Sequence, residues 1–192
     1  MNLPCLGARV PRRGGALTRA LGRGMLRAMR FRVEGELPDL PRFVIAVAPH
    51  TSNWDFVVGM ATMFALDLKL SFLAKHTLFR GPFAPLFRWM GGIAVDRANP
   101  EGTVESAVDA FAAVEARVLA VAPEGTRRRV GHFKSGFLRI ARAAQVPVVL
   151  AALDFGRRRV VLGPVVDTSD DVAADLARIE AHFAPVRGCH AR

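Results

Sequence analysis

Short apolar runs alternate with helical patterns along most of this chain. Runs rich in β-branched and small apolar residues occur at 43–48 (FVIAVA), 70–74 (LSFLA), 92–95 (GIAV), 118–122 (VLAVA), 146–153 (VPVVLAAL) and 159–165 (RVVLGPV). Each is short and bounded by turn or polar residues, which predicts strands. Helical patterns lie between them at about 53–66, 103–116, 135–144 and 170–183, with a shorter apolar segment, PLFRWM, at 85–90. This alternation predicts a single α/β domain with a largely parallel sheet flanked by helices. The strands read as nearly continuous apolar runs, so both faces of the sheet are expected to be covered.

Two of the predicted strands end alike, in VIAVAPH and VLAVAPEG, each breaking at Ala-Pro just before polar residues. In open α/β sheets the ligand site lies beyond the carboxyl ends of the strands. Both polar clusters are therefore expected to face one crevice.

The segment ahead of the first predicted strand differs in character. Before Glu34 the chain carries eight arginines (Arg9, Arg12, Arg13, Arg19, Arg23, Arg27, Arg30 and Arg32), no lysine and no acid, so of the formal charge of +10 only +2 belongs to the rest. On a helix at ~100° per residue, Leu17, Leu21, Gly24, Met25 and Ala28 cluster on one side and Arg19, Arg23, Arg27 and Arg30 on the other. A basic amphipathic N-terminal helix is expected, with residues 1–34 as a membrane-association segment and 35–192 as the α/β domain. Two readings of that helix stand: docking on an anionic membrane surface, or packing on the domain with a solvated cationic side. Gly22 and Gly24 each weaken a helix by up to ~1 kcal/mol relative to alanine. The following ELPDLPRF, with its two prolines, reads as an extended lead-in to the domain.

Composition narrows the class. With 192 residues, 51% of them hydrophobic, and no Ser/Gly/Pro-rich linker, the chain suits one sizeable core. The apolar stretch Phe56–Leu66 stops at Asp67, well short of the ~20 residues a spanning helix requires. Cys5 and Cys189 lie near opposite ends and match no ligand or redox spacing, so two free thiols in a reducing cytosol are expected. Charge confined to one end, two tryptophans and no tyrosine offer no stacking platform for nucleic acid.

The candidate chemistry lies in the two strand-end clusters. His50 and Asp55 are five apart, ~140° on a continuous helix, and would not share a face there. If His50 lies in the turn and Thr51 or Ser52 caps a helix beginning near Asn53, Asp55 can fold back against the imidazole. The pair then makes a general base and its orienting carboxylate; otherwise the two residues merely cap and solvate a loop. In PEGTRRR, Gly125 permits close backbone approach, Thr126 offers a hydroxyl, and Arg127 offers a planar fork for phosphate or carboxylate. Glu124 is placed to hold one of these arginines, while Arg128 and Arg129 read as solvated. His76, His132, His182 and His190 form no ligand spacing and read as surface or packing residues, so no metal site is expected. The chain has no G-x-S-x-G elbow, no H-E-x-x-H and no phosphate-binding G-x-x-x-x-G-K-[ST] loop.

Taken together, HTSNWD, GGIAVDR (91–97), PEGTR (123–127) and VPVVLAA (146–152) resemble the glycerolipid acyltransferase family, whose best-known members are 1-acylglycerol-3-phosphate acyltransferases. The four blocks span Pro49 to about Ala152. The resemblance implies that His50 is a general base removing a proton from an acceptor hydroxyl, with Asp55 its partner, and that the oxygen attacks an acyl thioester directly. It implies acceptor binding by Arg97, Glu124, Gly125, Thr126 and Arg127, with Arg127 and Arg97 near a phosphate. Lys75 and Lys134 stand where similar proteins carry lysines, as phosphate contacts or as solvated surface charges. No cofactor is implied beyond acyl-CoA or acyl carrier protein as co-substrate. The implied partners are a lysolipid acceptor and an anionic membrane surface, at the cytoplasmic face of the cell membrane and peripherally attached. Ala122 before the proline, Arg128 after Arg127 and Leu150 in the last block depart from the usual pattern, which leaves the acceptor open: a lysophospholipid, a lyso-aminolipid or a glycolipid intermediate. A non-catalytic membrane-binding module is the reading from another class.

Overall fold

The computed structural model describes residues 2–96, 99–125 and 132–189. Seven strands form one sheet: β1 (Arg32–Gly35), β2 (Arg42–Ala48), β3 (Leu70–Lys75), β4 (Gly92–Val95), β5 (Arg117–Val121), β6 (Val148–Asp154) and β7 (Arg159–Val166). Their spatial order is β1-β7-β6-β2-β5-β3-β4. Every neighbouring pair is parallel except β6 and β7, which are antiparallel. The helices are α1 (Ala16–Ala28), α2 (Asn53–Leu66), α3 (Ala84–Trp89), α4 (Pro100–Ala112), α5 (Gly136–Ala143) and α6 (Val172–Phe183), with one 3₁₀ turn at His76–Phe79.

Alternate side chains of the central strands enter two separate cores, as a pleated sheet covered on both faces requires. Phe43 and Ile45 of β2 join Val149 and Leu153 of β6 beneath α1 and α2. Val44, Ala46 and Ala48 face the other way, with Val148 and Leu150, against Phe111 of α4, Phe137 and Ile140 of α5 and Ile179 of α6. β6 is buried along its whole length, which accounts for its unbroken apolar run.

Two elements begin or lie where the pattern did not place them. Helix α4 starts at Pro100 rather than near 103, because the Asn99 side chain caps it by accepting from Gly102 N–H and proline suits the first helical turn. Strand β1 begins inside the basic segment; its four residues pair in parallel with β7, Arg32 opposite Arg159.

The N-terminal helix packs on the domain through a face turned away from Leu17 and Leu21, with Met25 of the apolar stripe at its margin. Gly22 and Leu26 are its buried residues, while Leu17 and Leu21 are exposed. A side chain on Gly22 would stand 2.4 Å from the Ala65 nitrogen and 2.6 Å from the Ala61 carbonyl oxygen, so glycine lets the two helix backbones meet. At the other end Asp67, buried in a left-handed C-cap of α2, accepts the N–H groups of Gly14 and Gly15 and pairs with Arg19 at 2.9 Å. The Leu17–Leu21 stripe thus faces outward beside the arginines. Leu6, Val10, Leu26, Phe31 and Val33 belong to the core below. Cys5 and Cys189 are both free thiols.

Candidate active site

β2 is the middle strand, and its carboxyl end delivers His50 to the centre of one sheet edge. Ser52 then caps α2: its hydroxyl accepts from Trp54 N–H, and Asp55, at the third helical position, accepts from Ser52 N–H, the reciprocal arrangement of a capping box. One carboxylate oxygen, Asp55 Oδ2, receives both Thr51 N–H and Ser52 N–H at 2.5 Å and lies 3.7 Å from His50 Nδ1. The loop therefore folds back so that a residue five positions on faces the ring. Asp55 is fully buried and the His50 side chain is one-quarter exposed. The carboxylate's site is fixed by main-chain donors before it meets the imidazole, so the capping and the His-facing roles are filled by the same atom.

β5 lies beside β2 and brings the second cluster to the same edge. Glu124 is buried, and its Oε1 accepts the backbone N–H of His50 at 2.7 Å. Burial raises its pKa above the ordinary 4.5, and the charge of nearby Asp55 pushes the same way. The N–H donors of His50 and of Glu124 itself pull against that shift. Among the described residues, Glu124 Oε2 has no hydrogen-bond partner. Gly125 takes a left-handed φ of +63°, and a Cβ there would lie 3.0–3.3 Å from the end of the exposed Lys134 side chain. Lys134 N–H donates to Pro123 carbonyl at 2.9 Å.

Lys75 ends β3 level with Val95 of β4, on the same edge but two strands from β2, and its side chain is exposed. The structure thus brings together His50, Asp55 and Glu124, sets Gly125 and Lys134 beside them, and leaves Lys75 farther along the edge. Arg97, Thr126 and Arg127 lie outside the described residues. Of the remaining histidines, His76 stands 4.0 Å from Asp96, His132 3.5 Å from Glu180, and His182 packs edge-on against Phe183; His190 lies outside the described residues. Among the described residues, no three His, Cys, Asp or Glu side chains are grouped to hold a metal ion.

Sequence reasoning placed Glu124 beside the arginines and did not foresee its bond to His50. That contact joins residues 74 apart; the signal was the twin Ala-Pro endings of β2 and β5, which bring the two loops to adjacent strand ends. Aromatic side chains around the site also went unassigned: Trp54 and Phe56 are exposed on the first turn of α2, and Phe56 packs edge-on against Phe72 of β3.

The family model described as Acyltransferase matches residues 30–153. No curated protein matches the chain by sequence. Among solved structures, the chain is similar to the crystal structure of the 1-acyl-sn-glycerophosphate (LPA) acyltransferase PlsC from Thermotoga maritima, with a TM-score of 0.60 and 20% identity. The likeness covers 90% of this chain and 80% of the other. At that identity it speaks for the fold, including the seven-stranded sheet and the helices on it.

Proposed function

This chain belongs to the acyltransferase family, and on that premise we propose that it moves a fatty acyl group from an acyl thioester to the hydroxyl of a lysophospholipid such as lysophosphatidate. One observation carries the reading: His50 Nδ1 lies 3.7 Å from Asp55 Oδ2, an oxygen already fixed by the Thr51 and Ser52 N–H groups. A carboxylate on the Nδ1 side favours the tautomer protonated there, and turns the opposite nitrogen, Nε2, into the proton acceptor. In the proposed step Nε2 takes the proton of the acceptor hydroxyl and the oxygen attacks the thioester carbonyl. The C–O bond forms, the C–S bond breaks, and the imidazolium returns its proton to the departing thiolate. Asp55 stabilises the imidazolium in between.

Glu124 positions this base through the His50 main chain, and Gly125 lets the Lys134 side chain lie against the loop, where its ammonium can meet an anionic group. Arg97, Thr126 and Arg127 complete the proposed acceptor site by their places in the sequence, two residues past β4 and immediately after Gly125. Lys75 is a more distant phosphate contact. Attachment to the membrane is proposed as peripheral, at the cytoplasmic face. Among the described residues no helix is long and apolar enough to cross a bilayer, whereas Leu17, Leu21, Trp54, Phe83 and Leu86 are exposed and suited to shallow insertion.

The test is incubation of the purified protein with mixed lysolipids and both kinds of acyl donor, with products identified by mass spectrometry. His50→Ala is expected to lose ~10² to 10⁴ in rate while remaining folded, the range typical of general-base assistance. Wild-type turnover in a folded His50→Ala protein would sink the mechanism.

A further inference from the structure

His50 stands between two chemically different flanks of one sheet edge. On the β5-β3-β4 side exposed apolar side chains, Trp54, Leu78, Phe83 and Leu86, stand among the basic residues Lys75, Arg80 and Arg88. On the β6-β7-β1 side none of the exposed large hydrophobics occurs within 27–34, 155–160 or 186–189, and arginine takes their place.

The strand register lines these arginines up. Ala48, just before the His50 loop, is level with Ala152 of β6; Asp154 of β6 is level with Arg159 of β7; and Arg159 is level with Arg32 of β1. The row begins next to the catalytic loop. Gly188 lies so close to Thr51 that a Cβ there would meet its hydroxyl at 2.7 Å, and the carbonyl of Arg187 accepts Phe155 N–H from the β6–β7 turn. From Arg187 the row passes to Arg157 and Arg158 and then to Arg30, Arg32 and Arg27, all exposed. Arg27, Arg30 and Arg32, together with Phe31 and Glu34, line an open hollow of about 540 Å³. Of the two carboxylates of this flank, Glu34 is engaged by Arg159 at 3.1 Å and Asp154 by Arg159 at 3.5 Å and Arg157 at 3.4 Å. Arg27, Arg30, Arg32, Arg158 and Arg187 therefore keep their charge largely uncompensated.

Two of them also occupy backbone positions that favour another residue. Arg30, just past the C-cap of α1, has φ 58°, and Arg158 has φ 52°. Glycine or asparagine adopts this left-handed conformation at least cost. An arginine in each place keeps a charge where the backbone gains nothing from it.

Resting on the acyl-transfer reading, we infer that this arginine row docks the donor's carrier, and that the carrier is a small acidic protein presenting the acyl chain as a thioester. From β2 to β1 the edge crosses three strand spacings of ~4.8 Å, about 14 Å in all. That width matches two to three turns of an acidic helix at ~5.4 Å per turn, and exceeds what a single phosphate group needs. A bilayer would be met better by the opposite flank, which has side chains to insert. The lysolipid and the donor then approach His50 from opposite sides.

The experiment compares full-length wild type with Arg30→Glu/Arg32→Glu and with Arg30→Gly/Arg32→Gln, the latter removing charge while relaxing the left-handed residue. Neither arginine belongs to the acceptor site. Each protein is assayed with the same acyl chain on a purified acidic carrier protein and on coenzyme A. Binding of the unacylated carrier is measured by fluorescence anisotropy at low and high salt, and sedimentation with anionic vesicles is followed in parallel. The expected result is a rise of about tenfold in KM for the carrier-borne donor in the charge-reversed protein, with kcat held, because rim charges act mainly on encounter. KM for the coenzyme A donor should move less than twofold, vesicle sedimentation should not change, and salt should weaken carrier binding. Unchanged carrier KM and binding in both variants would overturn the inference, as would equal losses with the two donors, or lost vesicle binding with donor KM intact. If wild type transfers no acyl group from either donor, the acyl-transfer reading fails by itself. Carrier binding then decides the row alone: wild-type binding lost in both variants upholds it, and no wild-type binding refutes it.

Discussion

The backbone N–H of His50 donates to Glu124 Oε1 at 2.7 Å, joining the ends of two adjacent parallel strands through a buried carboxyl. Because burial raises the Glu124 pKa above 4.5, the folded protein holds that proton more tightly than the unfolded chain does. The stabilisation is complete below the unfolded value and is lost as pH rises through the raised folded value, with a slope of at most about 1.4 kcal/mol per pH unit. Glu124→Gln keeps an acceptor for His50 N–H and removes the ionisation. Melting curves of the two proteins across this range are therefore expected to diverge, with the variant gaining on wild type as pH rises. Parallel curves would remove the assignment. Glu124→Ala, which removes this acceptor, is expected to cost about 1–3 kcal/mol.

Asp55 holds a helix cap and faces an imidazole with the same oxygen, so two substitutions separate its roles. Asp55→Asn retains a carbonyl oxygen for the Thr51 and Ser52 N–H groups but no charge for the ring. A rate loss of ~10² to 10⁴ is expected with little change in melting temperature. Asp55→Ala should lose the rate and, in addition, about 0.5–2 kcal/mol of stability as the cap goes. Full activity in Asp55→Asn would leave this carboxylate with only its capping role.

The two glycines inside α1 make opposite predictions. A Cβ on Gly24 meets nothing within 4 Å, so Gly24→Ala is expected to stabilise by about 0.5–1 kcal/mol through helix propensity alone. Gly22→Ala has the same propensity gain and yet places a methyl 2.4 Å from the Ala65 nitrogen. A net loss of about 1–3 kcal/mol is expected, since the helices must separate. Chemical denaturation measures both, and a stabilised Gly22→Ala would mean that α1 does not sit where described.

Asp67 ties the N-terminal segment to α2 through two backbone N–H groups and Arg19. Asp67→Ala leaves Gly14 and Gly15 N–H without their acceptor and Arg19 without its partner. The expected cost is about 1–3 kcal/mol, read as a lower denaturant midpoint. Native-state proteolysis within the first fifteen residues should become faster in the same variant.

Removing residues 1–32 outright would strip Val10, Leu26 and Phe31 from the core, so membrane attachment needs a milder probe. Leu17→Ser/Leu21→Ser changes only exposed side chains. If the stripe inserts, the double variant should lose about 3 kcal/mol or more of vesicle affinity, at ~1.5–3 kcal/mol per leucine, with unchanged melting. Equal sedimentation of both proteins on anionic vesicles would exclude α1 as the contact.

What the sequence reveals about this fold depends on how locally each feature is encoded. β2, β5 and β6 are continuous apolar runs because they are covered on both faces, and the Ser52 cap and Asp55 lie within one turn of the residues they serve. These were readable as strands, as a helix start and as a folded-back pair. β1 was not, since Arg-Val-Glu-Gly becomes a strand only where β7 supplies the partner. The packed face of α1 was hidden for a related reason: its closest contact is a glycine, which contributes nothing to an apolar pattern, while the residues that do, Leu17 and Leu21, face outward. The contact between Glu124 and His50 arises from strand order, which neither loop encodes by itself.

The register of β1 has a consequence for how the protein is made. Arg32 finds its sheet partner in Arg159, and the last strand of the chain must exist before the first can be placed. At synthesis rates of roughly 5–20 residues per second, the segment carrying β1 waits on the order of ten seconds for that partner. Throughout that interval the edge of β1 lacks its strand, although α2 has already emerged to meet α1, and the long closure makes the pairing a late event in folding. A run of arginines free of acids is well suited to the wait, because like charges keep nascent copies of the segment apart while it lasts.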